Sequence, residues 1–384
     1  MIKKRLMILS SILLVLLCII GFSKFQDHAY LSTLKHYPAT NEDFKKIKVK
    51  KIKKSLSPFK FGDLYNENIE KVKFNYQNDE ISLINFLKLT ETESFVFIKE
   101  DSILYEYYAD GYSRKSPMMI WSVTKIFIST LTGIAVHEGE LKSTNEKVIK
   151  YIPELKGKIH ESITIEHLLN MTSGINYSTE KYNFTPYLEV HYGKNLMKYV
   201  NESKSVIPPG EKFRYSQIDV ILLTLILRRI LDQPLSKYLQ DKIWKPLGME
   251  FDAYLAVDES NFEFERAASG LFAVPEDIAK LGRLYLNNGI FNGVELIPKE
   301  WVEKSNQSQD FSSNTKYLSY FWRHSKKNDS ISDYYTYAVG ANGNKMMFLI
   351  PNEKIIILRF GKGMMKKNIK SAINNFSQSY IRDY

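Results

Sequence analysis

The sequence predicts an α+β fold in which an antiparallel sheet, built from both ends of the chain, is flanked by helices and interrupted by a large, mostly helical insertion. Three observations predict it. Two β-rich runs lie early, at 95–98 and 103–108, and Lys99-Glu100-Asp101-Ser102 between them reads as a hairpin turn. The middle of the chain follows helical periods at 124–139, 164–171, 218–231, 235–244 and 275–288. Strand-like runs return only late, at 317–322, 334–338, 345–350 and 355–360, ahead of a closing helix at about 366–380.

With 384 residues, 44% of them hydrophobic and 13% aromatic, the chain can bury one large core or two lobes that share an interface, which excludes a disordered chain. Lys3, Lys4 and Arg5 precede an uncharged, largely apolar run at 6–23 that is long enough to span a bilayer. Positive residues ahead of such a run hold that end in the cytoplasm, so the remainder is expected on the extracytoplasmic side. Residues 1–24 read as a signal-anchor or signal peptide. The absence of a small-x-small site after the run favours an anchor that stays. Cys18, the sole cysteine, lies inside this run and follows Leu16-Leu17, where a lipoprotein signal carries small residues. Disulfides and Cys-ligated zinc are thereby excluded from the exported part.

Residues 25–77 read as a Lys-rich connector and 78–384 as the catalytic unit. The net charge of +10 has a local source, because Lys45, Lys46, Lys48, Lys50, Lys51, Lys53 and Lys54 crowd together around Ile47, Val49 and Ile52. Such a run suits a solvated linker or a Lys-protected edge strand, with contact to an anionic membrane or cell-wall polymer as the alternative. No aromatic-rich basic motif accompanies it, so nucleic acid is not an expected partner.

Chemistry enters at Ser122-Val123-Thr124-Lys125. Positions i and i+3 share a helix face, so the amine can take the serine proton and make the hydroxyl a nucleophile. Ser32/Lys35, Ser57/Lys60, Ser178/Lys181 and Ser313/Lys316 satisfy the same spacing. Only Ser122 follows an apolar approach, Met118-Met119-Ile120-Trp121, and opens a long helical pattern whose N-terminus favours negative charge on the serine oxygen. Tyr215 precedes the helix at 218–231. A phenol beside a lysine is suited to carry the serine proton to a leaving group.

Further segments stand in a telling order: Thr164-Ile165-Glu166-His167-Leu168-Leu169 through Thr172-Ser173-Gly174, Tyr215-Ser216-Gln217, Pro246-Leu247-Gly248-Met249, and Gly270-Leu271 through Ala279-Lys280-Leu281-Gly282. With Trp121-Ser122-Val123-Thr124-Lys125 they make residues 90–365 resemble the serine β-lactamase and penicillin-binding protein superfamily. The resemblance leans to its class C branch and the 6-aminohexanoate-dimer hydrolases and esterases. It implies a β-lactamase/transpeptidase-like fold, a cofactor-free acyl-enzyme mechanism, Ser122 as nucleophile, Lys125 as base and Tyr215 as proton shuttle. It also aligns Ala338-Val339-Gly340-Ala341 with the strand lining the cleft, so Gly340 and Ala341 are expected at the oxyanion hole with the backbone N–H groups of Ser122 and Ala341 as donors.

Two departures bear on substrate. Gln217 stands where the family's tyrosine motif carries Asn, and the 338–341 strand lacks the cation that would hold a substrate carboxylate. Esters, linear amides and small peptides are therefore the expected substrates. A D-alanyl-D-alanine carboxypeptidase or D-Ala esterase, a penicillin-recognising sensor without turnover, and a scaffold on cell-wall polymers are the alternatives. Tyr177 is a candidate cleft residue. His167 is expected to hydrogen-bond structurally and Trp121 to wedge the nucleophile helix against the sheet. His137, His160 and His191 lack metal-ligand spacing, so no metal is expected.

Overall fold

A computed structural model describes residues 39–176, 190–306, 315–318, 320–325, 334–362 and 368–384, with Leu13, Leu16 and Cys18 besides. The strands that build the site are β1 (Val49–Ile52), β2 (Gly62–Asp63), β3 (Thr92–Lys99), β4 (Ser102–Tyr108), β5 (Met118–Met119), β6 (Ala253–Ala256) and β7 (Leu271–Ala273). They continue with β8 (Thr315–Leu318), β9 (Phe321–Ser325), β10 (Tyr334–Gly340), β11 (Lys345–Ile350) and β12 (Ile355–Gly361).

Eight of these form one sheet in the order β8-β9-β10-β11-β12-β3-β4-β2, so the late strands join the early hairpin edge to edge. The hairpin turns through Glu100 and Asp101 at φ +47° and +63°, the left-handed pair that matches the twist of two tightly linked strands. Every pairing is antiparallel except that of β2, which runs parallel to β4 over two residues. The run expected as one strand at 317–322 is two strands, because Tyr320 takes φ +69° between them.

A smaller sheet, in the order β1-β6-β7-β5, has no counterpart in the sequence reading. Its inner end is β5, whose chain passes directly into the Ser122 turn. Its outer edge is β1, the heart of the Lys-rich run. Lys48 and Lys50 pair with Glu263 at 2.8 and 3.0 Å, and Lys51 with Asp252 at 2.7 Å, so the run is an edge strand clipped to its own domain. The boundary expected near 78 falls inside a paired hairpin, Lys73–Tyr76 with Asp79–Ser82.

The helices that matter here are α1 (Thr124–His137), α2 (Ile165–Leu169), α3 (Gln217–Leu231), α4 (Pro275–Leu286) and α5 (Ile369–Asp383). Helix α1 is buried on all sides from Thr124 to Ala135, which requires it to run through the middle of the molecule. Two of its threonines are satisfied locally: the Thr130 and Thr132 hydroxyls donate to the carbonyls of Ile126 and Ile128, both at 2.8 Å. One core surrounds α1, α3 and α4. A second core, on the other side of the large sheet, joins Phe95, Phe97 and Phe348 to Ile369, Ile373 and Phe376 of α5. Among the described residues no helix is long and apolar enough to cross a membrane. The apolar run at 6–23 lies outside them apart from Leu13, Leu16 and Cys18.

Candidate active site

The turn that carries Ser122 is made by backbone conformation before any side chain acts. Trp121 sits at φ +50°, a region that costs a bulky L-residue of order 1–3 kcal/mol, and opens the single 3-10 turn Trp121–Val123 that leads into α1. The turn is pinned by the hydrogen bond from Ile120 N–H to Leu271 O at 3.0 Å, and by the Thr124 hydroxyl donating to Trp121 O at 2.6 Å. Ser122 is left 8% exposed at the head of a buried helix.

Lys125, one turn on, is fully buried. Its Nζ lies 2.9 Å from Ser122 Oγ and donates to the Ala268 carbonyl at 2.7 Å. No carboxylate among the described residues pairs with it, and burial alone pushes its pKa well below the ordinary lysine value. The ring centre of Tyr215 lies 5.1 Å from the same Nζ. The amine thus lies between the serine hydroxyl and the Tyr215 ring, although Tyr215 comes from a segment some ninety residues along the chain.

Tyr215 is placed by a polar knot at the start of α3. Ser216 caps that helix, its hydroxyl accepting from Asp219 N–H at 3.3 Å and donating to Asp219 Oδ1 at 3.2 Å. The Ser173 hydroxyl donates to the same Oδ1 at 2.6 Å, which ties the Thr172-Ser173-Gly174 loop to the tyrosine segment. Gly174, at φ +69°, allows the Ile207 carbonyl to within 2.0 Å of where a Cβ would stand. Asp219 is completely buried, and desolvation raises its pKa to about 7 despite the two serine hydrogen bonds. His167 acts as a cap: Thr164 N–H donates to its Nδ1 at 3.1 Å while His167 N–H donates to Thr164 Oγ1 at 3.3 Å, at the start of α2.

On the opposite side, β10 ends at Gly340. A Cβ there would stand 2.7 Å from Ser122 N, so only glycine lets this strand reach the Ser122 backbone. Ala341 follows at φ +48°. Gln217 opens α3, is 6% exposed, and finds no hydrogen-bond partner among the described residues for either amide atom. Tyr177 lies outside the described residues.

Sequence reasoning gave no place at the site to two groups, His191, read only as lacking metal-ligand spacing, and Asp219. His191 touches Ser269 Oγ through Nδ1 at 2.5 Å and packs edge-on to Trp121 with ring centres 4.5 Å apart, so it braces both the residue before the nucleophile and the residue after the Ala268 carbonyl. Burial first, then the neighbouring Lys125 and Arg266, lower its pKa to about 3. Nothing in its local sequence signals this. Asp219 had a signal, since Ser216 and Asp219 have the spacing of a helix-start capping pair. Among the described residues no group of three or more His, Cys, Asp or Glu side chains is placed to hold a metal ion.

The model of the family described as Beta-lactamase matches residues 94–365, from the second position after Thr92 at the start of β3 to just beyond the last sheet strand. The chain belongs to the Beta-lactamase family. That is a family of serine hydrolases, and its relatives bear the name. A 6-aminohexanoate-dimer hydrolase from Paenarthrobacter ureafaciens is 24% identical over 229 residues, a match covering 56% of this chain and 57% of that relative, so the chain spans just over half the length of this curated protein. Among solved structures, a Bacillus anthracis protein assigned as a 6-aminohexanoate-dimer hydrolase superposes with a TM-score of 0.78 at 22% identity, over 93% of this chain and 94% of that one. A class C β-lactamase superposes with a TM-score of 0.61 at 15% identity, over 79% and 94%. These likenesses show the β-lactamase/transpeptidase-like fold.

Proposed function

We propose that the protein is a serine hydrolase that cleaves an ester or amide bond through an acyl-enzyme on Ser122, with Lys125 as base and Tyr215 as proton shuttle. The observation that carries this reading is the 2.9 Å separation between Ser122 Oγ and a lysine amine whose pKa burial lowers well below the ordinary value. A neutral amine has a lone pair for the hydroxyl proton, within the reach that proton transfer needs. As Oγ attacks the carbonyl carbon, its proton passes to Lys125 Nζ. The oxyanion forms against the N–H groups of Ser122 and Ala341, a placement supported by the approach of Gly340 to Ser122 N. Collapse of the tetrahedral intermediate expels the alcohol or amine, which takes a proton by way of Tyr215. Water then attacks the acyl carbon, gives its proton to the same relay, and releases the carboxylic acid with Ser122 restored.

The strand side of the site favours substrates without a carboxylate next to the scissile bond. Ala338, Val339 and Gly340 carry no charge, and Lys345, whose Cα pairs with Gly340, is committed to Glu93 at 2.7 Å. Gln217, with a buried amide that has no partner among the described residues, is suited to hydrogen-bond an acyl amide. The name of the Paenarthrobacter relative points the same way, to a linear amide. Lys3, Lys4 and Arg5 ahead of the apolar run at 6–23 support a membrane-anchored enzyme facing the extracytoplasmic side.

Turnover separates this reading from its rivals. The full chain should hydrolyse p-nitrophenyl esters and short linear amides, and Ser122→Ala should abolish both. Release of D-alanine from D-Ala-D-Ala peptides with no ester or linear-amide turnover would replace the proposal with a carboxypeptidase, and stable labelling by a fluorescent penicillin without any turnover would replace it with a sensor.

A further inference from the structure

One polar side chain ahead of the family match reaches both halves of the site. Asn41 Oδ1 accepts from Met119 N–H at 3.1 Å, and its Nδ2 donates to Glu93 Oε2 at 3.1 Å and to the Tyr112 hydroxyl oxygen at 3.3 Å. Met119 stands three residues before Ser122 and is 4% exposed, so its N–H has little water to turn to without Asn41. Glu93 is buried as well. Its Oε2 receives Lys345 Nζ at 2.7 Å and its Oε1 the Tyr112 hydroxyl at 2.6 Å. Lys345 opens β11 as the partner of Gly340, the residue that lies against Ser122 N.

We infer that Asn41 is a positioning residue for the nucleophile. It fixes the approach strand β5 relative to the end of β10 through the buried Glu93–Lys345 pair, so a segment that reads as a connector completes the active site. This rests on Ser122 being the nucleophile. A buried ion pair holds its geometry only while its remaining hydrogen bonds are made, and loss of the amide frees Glu93 to reorient and carry Lys345 with it. The segment itself is docked by other means: Thr40 bonds Asp43 through its N–H at 3.1 Å and its hydroxyl at 2.7 Å, Tyr192 donates to Asp43 at 3.4 Å, and Phe44 stacks on Tyr254 at 4.6 Å. Loss of the Asn41 amide therefore leaves the segment in place. The charged and titratable groups facing the network are Glu93, Lys345, Tyr112, Glu42 beside Tyr112, Lys362 at 3.9 Å from Glu93 Oε1, and Arg359.

The test uses the full chain, with the rate of fluorophosphonate addition to Ser122 and the hydrolysis of a p-nitrophenyl ester as readouts. Asn41→Ala should slow addition and lower kcat by roughly tenfold with KM changed by less than about twofold, the signature of a displaced nucleophile. Glu263→Gln, which cuts the clips to Lys48 and Lys50, should lower Tm slightly and leave kcat unchanged. Asn41→Asp keeps the acceptor for Met119 but sets a second carboxylate against Glu93. Its kcat relative to the parent should climb as pH falls and the pair takes up a shared proton, while the Asn41→Ala ratio stays flat. Wild-type addition rate and kcat in Asn41→Ala, or no recovery at low pH in Asn41→Asp, overturns the inference while labelling of the parent at Ser122 leaves the hydrolase reading standing. A parent that takes no label at Ser122 overturns both.

Discussion

Burying Lys125 without a carboxylate partner costs stability, and the cost falls on the one residue that needs a free lone pair. Between its lowered folded pKa and the ordinary 10.5 the unfolded chain binds more protons at this lysine than the native state, so in that window stability rises with pH. Lys125→Met should therefore lose roughly 10²–10⁴-fold in acylation rate, while its Tm relative to the parent is most favourable near neutrality and declines as pH approaches the lysine range. Calorimetry across pH checks this, and a Tm difference independent of pH would mean that the amine is charged in the folded protein. His191 carries the same logic. With its pKa near 3, set first by burial, it stays neutral wherever the enzyme works. Its imidazole NMR signals should not titrate between about pH 5 and 8, and a midpoint near the ordinary value of about 6.5 would show that the ring is not sealed beside Lys125.

At the scale of elements, two segments are steered into the site, the start of α3 by its cap and the end of β10 by its glycine. Asp219 ties the cap to the Thr172-Ser173-Gly174 loop, and because its folded pKa of about 7 exceeds the unfolded value, the native state holds an extra proton between the two. That contribution is complete below the unfolded pKa and is lost as pH rises through about 7. Asp219→Asn keeps an acceptor for Ser173 and Ser216 and cannot ionise, so its urea midpoint should pull ahead of the parent's above neutrality and converge with it in acid. A constant offset would contradict a buried, protonated carboxyl. Gly340→Ala forces a methyl against Ser122 N, and we expect it to reduce acylation by about 10²-fold or more, the scale of a lost oxyanion donor. Ester kinetics with a matched measurement of folded fraction check this.

Across the whole molecule, one ring shows how the ends are joined. Phe376 of α5 meets Phe74, Phe95 and Phe97 at centroid distances of 5.7, 5.8 and 5.4 Å, so a single residue links the closing helix, the early hairpin and the segment ahead of it. Phe376→Ala should cost about 3–5 kcal/mol in denaturant unfolding, and a loss below 1 kcal/mol would mean that the helix is peripheral. The long elements were legible because their periods run for many residues: α1, α3, α4 and the late strands β11 and β12 lie where the pattern of apolar residues put them. The pairing of Ser122 with Lys125 was legible because i and i+3 is a local relation. The small sheet was not, since strands of two to four residues carry no period and β5 joins β7 only through the tertiary fold. The Lys-rich run did allow an edge strand as one reading, but its partners, Glu263 and Asp252, are some two hundred residues away and left no local mark. His191 and Asn41 act through contacts of long sequence separation and leave no local mark, and Tyr177 falls outside the described residues.

The claim on which the rest depends is that Lys125 makes Ser122 reactive, and peptide mass spectrometry after fluorophosphonate treatment tests it most directly. A single adduct on Ser122, formed at least about 10²-fold more slowly in Lys125→Met than in the parent, is the predicted result. An adduct on another residue, or equal rates in the two proteins, would contradict it.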